Sequence, residues 1–194
     1  MSLLERGGVA IVQGLLGSDL KAQLLAEANE GLQRAERFVT RNRNHEWRGG
    51  EPARSYRATA AGAGQYAIFS CKEMVDAISE ICGHAVKSSG TGSYSYYHEE
   101  GDYLGLHRDI ELCDVATITC LEDDGPESRG GLRAYPEYAG RPLIAIYEEC
   151  PRGLDLPTRS GDTVVIMGGI IPHEVTPIVP GQRRTVALGC FAMV

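Results

Sequence analysis

Two histidines and one aspartate have the residue types and the spacing of a metal site. A single residue separates His107 from Asp109, and His173 begins a later segment that reads as extended, His-Glu-Val-Thr-Pro-Ile-Val. On a strand, residues i and i+2 point to the same face, so His107 and Asp109 present a nitrogen and an oxygen to one point. Two imidazoles and one carboxylate hold a non-haem iron(II) on one face and leave the other face open. The pattern therefore predicts that His107, Asp109 and His173 are iron ligands and catalytic residues.

Two residues further along the chain have the chemistry to bind a carboxylate. Arg183 follows His173 by ten residues, and Thr185 comes two residues later. Alternation along a strand would aim both side chains into one cavity, where a guanidinium and a hydroxyl offer hydrogen-bond donors to an acid group. A guanidinium also keeps its charge when it is desolvated. This pair predicts a carboxylate subsite beside the metal.

Taken in order, these residues resemble the motifs of the iron(II)/2-oxoglutarate-dependent oxygenases, and in particular their prolyl-hydroxylase-like branch. The resemblance covers roughly the C-terminal half of the chain. It is carried by Tyr97-x3-Gly101-x5-His107-x-Asp109, His173-x-Val175-x-Pro177 and Arg183-x-Thr185. It implies a double-stranded β-helix, and it implies Fe(II), 2-oxoglutarate as co-substrate, and dioxygen as cofactors.

The resemblance also implies roles in binding 2-oxoglutarate. In that family Arg183 would hold the far carboxylate, Thr185 would hydrogen-bond the same group, and Tyr97 would face the active site. The family places its basic residue two positions after a glycine, which favours Arg183 and leaves Arg184 as a surface residue. Some relatives carry a second tyrosine that touches 2-oxoglutarate, and the corresponding position here is Cys120.

The activity implied is that of an oxidoreductase, a dioxygenase that hydroxylates or desaturates an unactivated C–H bond and releases succinate and CO2. Related halogenases replace the carboxylate ligand with a small residue, so Asp109 favours hydroxylation or desaturation. A small acidic chain suits a free small molecule as substrate, such as an amino acid or a natural-product intermediate. A peptidyl or protein side chain is the alternative substrate. A non-catalytic, cupin-like metal- or ligand-binding domain is a different alternative, and it would not require Arg183.

The composition is that of an ordinary folded domain. The 194 residues are 43% hydrophobic, which suffices for one domain with a full core, and we expect residues 1–194 to form that single domain. The formal net charge of −7 disfavours nucleic acid as a partner, because polyanions are bound by basic faces. The six cysteines lack the spacing of zinc ligands. They are expected to be free, buried thiols in a reducing cytosol.

The hydropathy of the chain predicts neither export nor membrane insertion. The short apolar run at residues 9–12 is not followed by a small-residue cleavage pattern. No apolar run approaches the roughly 18 residues that a membrane span needs. We therefore expect a cytoplasmic protein without a membrane partner.

Residues 1–90 are expected to supply a strand and two buttress helices. The strand is predicted at 7–16, Ser18 is predicted to cap the first helix, and Ser70-x-x-Glu73 has the pattern of a capping box for a second helix that ends at Gly83. Residues 41–64 contain Trp47 and five arginines and show no periodicity. This stretch is expected to be a loop, either a substrate lid or a solvated surface segment.

From residue 91 to residue 194 the pattern alternates. Strands are expected at 93–98, 114–121, 143–147, 163–167, 174–179 and 184–191. Many short strands separated by turn residues are typical of a jelly roll. The sequence thus predicts a mostly β protein, a double-stranded β-helix of the jelly-roll, cupin-like kind, with N-terminal helices packed on its outside.

Overall fold

Among the described residues, eleven strands and four helices form the regular structure. The computed structural model describes residues 2–41, 48–125 and 130–194. The helices are α1 (Ser18–Leu32), α2 (Ala63–Ser70), α3 (Lys72–Cys82) and α4 (Leu143–Glu149). The strands are β1 (Val9–Gln13), β2 (Glu36–Thr40), β3 (Arg54–Ala60), β4 (Val86–Tyr97), β5 (Tyr103–His107), β6 (Val115–Asp123), β7 (Leu132–Ala134), β8 (Leu154–Leu156), β9 (Asp162–Ile166), β10 (His173–Val175) and β11 (Arg184–Met193). Short 3-10 turns lie at Leu4–Arg6 and Pro136–Tyr138.

The strands form one antiparallel sheet that curls into a barrel. Neighbouring strands follow the order β1, β9, β6, β11, β4, β3, β5, β10, β7, β8, and β2 pairs with β3. Strands β6 and β9 are buried along almost their whole length because both of their faces are covered, one by the barrel interior and one by the outer layer. The predicted mostly β, double-stranded β-helix fold is confirmed.

Helices α1, α2 and α3 cover the outer face of β4 and β11. Helices α1 and α3 are the two predicted buttress helices, and α2 is an additional one. The Tyr96 hydroxyl on β4 donates a hydrogen bond of 2.6 Å to the carbonyl of Ala28 in α1. Phe69 of α2 meets Phe191 of β11 edge-on, with ring centroids 6.4 Å apart. Helix α3 ends at Gly83, as predicted, where a φ of 72° favours glycine.

The carboxylate of Glu27 joins α1 to α2 behind the barrel. It accepts hydrogen bonds from the Tyr94 hydroxyl at 2.7 Å and from the backbone N–H groups of Gly62, Gly64 and Gln65. Burial by itself raises the pKa of Glu27, but these four donors outweigh burial and hold the pKa below its ordinary value. Glu27 thus closes the first turn of α2 in place of a capping side chain.

The two predicted serine caps are wrong. The residues at the cap positions of α1 and α3 are Gly17 and Cys71, and neither makes a side-chain cap hydrogen bond. Ser70 is instead the last residue of α2, and its hydroxyl donates back to the carbonyl of Tyr66 one turn earlier. This local bond competes with capping, as serine hydroxyls near helix ends often do.

The prediction that residues 41–64 form a loop is wrong for its second half. Strand β3 occupies 54–60, and α2 begins at Ala63. Strand β3 is held by pairing with β2, β4 and β5, which are tertiary contacts that its Ala-rich sequence does not announce. Of the residues highlighted in this stretch, Arg43, His45 and Trp47 lie outside the described residues.

Residues 143–147, predicted as a strand, are helical and belong to α4. A short apolar run does not distinguish a strand from a buried helix, and here Leu143 and Ile146 share one helix face that packs with Leu106 and Tyr138. The predicted strand at 174–179 is shorter, ending at Val175 before a proline that cannot donate to a ladder.

The prediction that all six cysteines are free is wrong for one pair. Cys113 and Cys190 form a disulfide with a Cα–Cα distance of 4.8 Å, within the usual range. Cys113 lies just before β6, and β6 pairs with the β11 residues around Cys190, so the sheet brings the two thiols together. Cys82 and Cys120 are free and buried, as predicted.

Strands β1, β2 and β3 belong to the same sheet as the C-terminal strands, so the barrel begins before residue 91. The organisation of residues 1–194 as a single domain stays a prediction. In the described part of the chain, no helix has the length and apolarity needed to cross a bilayer. The cytoplasmic location stays a prediction as well.

Candidate metal centre

Strands β5 and β10 bring the three predicted ligands together. His107 ends β5 and pairs directly with His173 at the start of β10. Asp109 follows β5 and is fixed by a hydrogen bond of 2.9 Å from its N–H to the carbonyl of Gly168. The Oδ1 atom of Asp109 lies 3.8 Å from Nε2 of His107 and 3.7 Å from Nε2 of His173. An ion about 2.1 Å from each donor can bridge atoms up to roughly 4.2 Å apart, so both pairs fit one metal.

Hydrogen bonding fixes the tautomer of both histidines. Nδ1 of His107 lies 2.9 Å from the carbonyl of Gly105, and Nδ1 of His173 lies 3.0 Å from the carbonyl of Ile171. A carbonyl can only accept, so each Nδ1 carries the proton and each Nε2 keeps its lone pair. Burial lowers the pKa of both imidazoles to about 4. Both rings are therefore neutral at neutral pH, with their lone pairs directed towards Asp109, as a metal ligand requires.

The carboxylate of Asp109 is incompletely satisfied. Its Oδ2 is buried and has no hydrogen-bond partner among the described residues. Burial raises the pKa of Asp109, while the nearby His107 and Arg48 oppose that rise. A buried, orphaned carboxylate oxygen costs free energy unless a ligand binds it. Together with the two free Nε2 atoms, it makes a donor set that suits a divalent transition metal.

Arg48 clamps the loop that carries Asp109. Its guanidinium donates to the carbonyls of Asp109 at 3.2 Å, Ile110 at 2.5 Å and Cys113 at 3.1 Å, and to the carboxylate of Asp114 at 3.0 Å. The disulfide fastens the same loop to β11 from the other side. The loop is thereby held from both sides, which limits the movement of the Asp109 carboxylate.

Two glycines make room for these groups. A Cβ at Gly168 would lie 1.8 Å from Oδ2 of Asp109, and one at Gly169 would lie 2.8 Å from the Arg48 guanidinium. Any side chain at Gly168 would therefore displace the carboxylate.

Arg108 supports the centre from the opposite face of β5. It is fully buried, and it donates to the carbonyls of Ile170 at 2.9 Å, Tyr138 at 3.1 Å and Arg141 at 2.5 Å. Burial lowers its pKa to about 10, so it remains a cation at neutral pH. These bonds tie the segment that leads into His173 to the strand that carries His107.

The structure exchanges the predicted positions of the two adjacent arginines. Arg183 is exposed on the helix side of the sheet, where Nη2 lies 3.3 Å from Nδ1 of His98. Arg184 is only 2% exposed. It lies opposite Tyr97 of the neighbouring strand β4, on the face directed into the barrel. The prediction that Arg184 is the surface residue of the pair is wrong. The reason is that side chains alternate between the two faces of a strand, and β11 begins at Arg184 with that side chain turned inward.

Thr185 shares the face of Arg183 rather than that of the metal. It pairs with Tyr96, whose hydroxyl contacts α1, and its own hydroxyl lies 2.9 Å from Nε2 of His98. The structure therefore groups Arg183 and Thr185 together, as predicted, but on the outer face of β11. The role proposed for them in binding 2-oxoglutarate has no support from this placement.

The inward group around Arg184 is partly polar. Its guanidinium binds the carboxylate of Asp123 and donates 2.9 Å to the hydroxyl of Thr158. Tyr97 is fully buried beside it, and burial raises the pKa of that phenol well above its ordinary value. Cys120 is buried nearby, and burial likewise raises the pKa of its thiol. Tyr97 thus faces the barrel interior, and the role that the resemblance implies for it at the active site stays a prediction.

Sequence reasoning missed the supporting residues Arg48, Arg108, Gly168 and Arg184. Arg108 lies between His107 and Asp109 and points to the opposite face, so the spacing of the metal-ligand pattern gives no signal for its supporting role. A signal did exist for Gly168, since paired glycines directly after a buried strand often mark a close approach of another group.

No protein-family model matches the chain, and no curated protein matches it. The fold is similar to the α-ketoglutarate-dependent non-heme epimerase SnoN of nogalamycin biosynthesis, with 15% identity, a TM-score of 0.73 and coverage of 97% of this chain and 82% of SnoN. Another SnoN structure, at a TM-score of 0.74, contains Fe3+, α-ketoglutarate and nogalamycin RO.

Two further solved structures are similar over most of their length. A Pseudomonas putida prolyl-4-hydroxylase is 20% identical, with a TM-score of 0.65 and coverage of 97% of this chain and 94% of its own. AviO1 from Streptomyces viridochromogenes is 20% identical, with a TM-score of 0.73 and coverage of 97% and 92%. The chain therefore has the fold of the iron(II)/2-oxoglutarate-dependent oxygenases.

Proposed function

We propose that the protein is an Fe(II)- and 2-oxoglutarate-dependent dioxygenase that hydroxylates or desaturates an unactivated C–H bond of a small molecule. One observation carries the proposal. His107 and His173 direct unprotonated Nε2 atoms at the carboxylate of Asp109, whose Oδ2 is buried and orphaned. A purely structural cluster would satisfy that oxygen with a donor.

In this proposal His107, Asp109 and His173 hold the iron, and the protein keeps them in register before metal arrives. The hydrogen bonds from each Nδ1 set the tautomer and the ring orientation, which is the usual function of groups behind a metal ligand. When bound, iron(II) and 2-oxoglutarate would supply the chemistry for attack on a C–H bond with dioxygen as the oxidant, 2-oxoglutarate itself being oxidised to succinate and CO2. The chain itself supplies geometry and a site shielded from water.

Arg184 is our candidate for the residue that binds the far carboxylate of 2-oxoglutarate. It faces the interior, and its contacts with Asp123 and Thr158 use two of its five N–H groups. The remaining donors suit a carboxylate. Tyr97 of β4 lies opposite Arg184 in the strand pairing and would line the same subsite. This assignment replaces Arg183 and Thr185.

A small molecule remains the proposed type of substrate. SnoN, an epimerase from nogalamycin biosynthesis, supports this choice, whereas the prolyl-4-hydroxylase supports a peptidyl side chain as the alternative. A cupin-like binding domain without catalysis is the remaining alternative. It predicts metal binding that does not depend on Arg184. The acidic net charge gives no reason to propose a nucleic-acid partner.

An anaerobic absorption titration tests the proposal. Metal-free protein receives Fe(II) and then 2-oxoglutarate, and a visible charge-transfer band should require both additions. His107→Ala should abolish the band. Properly folded, iron-loaded wild type that never develops the band would rule out the oxygenase function and leave the cupin-like alternative.

The adjacent arginines provide a matched pair of variants for the keto-acid subsite. Loss of a bidentate charged contact costs about 3 kcal/mol, so Arg184→Gln should weaken 2-oxoglutarate binding roughly 100-fold. Arg183→Gln should change it less than about twofold, because that side chain lies on the outer face. Arg184→Lys keeps a cation opposite Asp123 and controls for loss of the internal ion pair. Equal effects of the two glutamine variants would refute the assignment.

A further inference from the structure

Arg54 is an arginine beside the metal centre that the proposed chemistry does not use. It is the first residue of β3, where it pairs with Thr40 on one side and Leu104 on the other. Leu104 lies three residues before His107 on β5 and pairs with Val175 of β10. This register places Arg54 on the strand next to the one that carries His107.

Aromatic rings continue from Arg54 across three strands on the same inward face. Its guanidinium lies 5.6 Å from the ring centroid of Phe38 on β2. Phe38 and Tyr56 have centroids 5.9 Å apart, and Tyr56 stacks on Tyr97 at 5.2 Å. We call Phe38, Tyr56 and Tyr97 the aromatic wall. Tyr97 is buried at its deep end beside Arg184, whereas Phe38 and Tyr56 remain partly accessible.

Arg54 has no acidic partner among the described residues. The arginines that do have an ion pair there are Arg37, Arg48, Arg133, Arg141 and Arg184. The cross-strand neighbours of Arg54 are a threonine and a leucine. Its guanidinium interacts with the hydroxyl of Tyr56, a neutral group whose pKa is raised by burial. A half-buried cation without a counter-ion favours binding of an anion from solution.

We propose that Arg54 binds the acid group of the substrate, and that the aromatic wall packs against a flat apolar body attached to that group. The substrate class is therefore an aromatic or similarly planar carboxylic acid. A planar guanidinium matches a carboxylate with two parallel hydrogen bonds, and a single arginine suits one such charge better than a phosphate dianion. This inference rests on the proposed function, because it places the acid next to an oxidising metal centre.

The position of Arg54 separates this subsite from the one assigned to 2-oxoglutarate. Arg184 lies on β11 at the far end of the aromatic wall and is already neutralised by Asp123. Arg54 lies at the other end, where no described acidic residue neutralises its charge. Two carboxylates can then bind in one barrel, one held by each arginine, with the metal ligands near the Arg54 end.

Calorimetry with benzoate and benzamide tests the inference. The protein is loaded with Ni(II), which replaces Fe(II) without its redox chemistry, and is saturated with 2-oxoglutarate. Arg54 is then the proposed site that remains for a second carboxylate. Benzoate should bind at least tenfold more tightly than benzamide, which has the same ring without the charge. Arg54→Gln should weaken benzoate at least tenfold and remove the preference over benzamide, while Arg54→Lys should retain part of it. The affinity for 2-oxoglutarate should stay within twofold of wild type in both variants.

Arg57→Gln is the matched control, since Arg57 lies on the same strand but faces outward and donates to the carbonyl of Ala35. It should leave benzoate binding unchanged. Benzoate that binds no better than benzamide, or that binds equally well to Arg54→Gln, would overturn the inference. Failure of the proposed function would look different, because 2-oxoglutarate would then not bind to metal-loaded wild type while the Arg54-dependent binding of benzoate persisted.

Discussion

Adding one methyl group at Gly168 should disable the metal centre while leaving the fold largely intact. A Cβ there would lie 1.8 Å from Oδ2 of Asp109 and 2.8 Å from its Cγ, but 3.4 Å from its Cβ. The collision therefore involves the carboxylate and not the rest of the side chain. Gly168 has no positive φ, so alanine itself fits the backbone.

The size of the effect follows from the displacement required. Oδ2 must move from 1.8 Å to the 3.4 Å at which ordinary contact begins, about 1.6 Å. Metal–ligand distances tolerate only about 0.2 Å. Changes to groups behind a ligand cost about 10- to 100-fold in metal affinity, and displacing a ligand directly should reach at least the upper end. The orphaned Oδ2 gives up no hydrogen bond when it moves, so the stability cost should stay near the lower end of the ~1–3 kcal/mol typical of overpacking.

Anaerobic calorimetry with Fe(II), repeated with Ni(II), measures the affinity, and urea denaturation of the metal-free protein measures the stability. Gly131→Ala is the control, because a Cβ there meets nothing within 4 Å. In an Asp109→Ala background, Gly168→Ala should add no further cost to stability, since the clashing group is gone. Wild-type metal affinity in Gly168→Ala would refute the placement of Asp109 as a ligand packed on this glycine.

Three further predictions follow from the supporting contacts. Arg48→Gln should weaken Fe(II) binding roughly tenfold, because the loop that carries Asp109 loses the hydrogen bonds that hold it. The same calorimetry measures this affinity, and an unchanged affinity would contradict the prediction. Glu27→Gln should lower the free energy of unfolding by about 1–2 kcal/mol at pH 7. Because the folded pKa of Glu27 is depressed, its stabilisation is present above the unfolded pKa and is lost as pH falls through the folded pKa. Urea titrations should therefore show the difference in stability between wild type and Glu27→Gln shrinking towards pH 3. A difference that stays constant with pH would contradict this prediction. Denatured, unreduced protein should titrate four thiols, rising to six on reduction, because Cys113 and Cys190 are bonded.

The grouping of His107, Asp109 and His173 was the most predictable part of the molecule, and their role as metal ligands stays a prediction. The i, i+2 spacing of His107 and Asp109 fixes their common direction locally, and an extended segment supplies His173. The barrel was predictable for the same reason, since alternating strands separated by turn residues have few ways to bury their apolar faces. In both cases the signal lies within a few residues of chain.

Features that depend on which way a strand faces in the sheet were not predictable. The choice between Arg183 and Arg184 turns on one residue of register, and a slip of one residue exchanges inside for outside. The spacing of the motif assigned the inward face to Arg183 and not to Arg184. This assignment failed because β11 begins at Arg184 and its pairing with β6 contains a bulge after Thr185. Strand β3 and the disulfide likewise depend on contacts between segments distant in sequence.

Two of the residues that sequence reasoning missed, Arg48 and Gly168, contact Asp109 directly. Keeping a carboxylate oxygen buried and unsatisfied is unfavourable, so the side chain would rotate towards a donor unless its backbone were restrained. Arg48 and the disulfide hold that backbone from two sides, and Gly168 admits the carboxylate without supplying a hydrogen bond. The unfavourable arrangement is therefore built into the loop, and a metal ion is the ligand that would relieve it. Metal affinity should therefore be more sensitive than stability to changes in this loop.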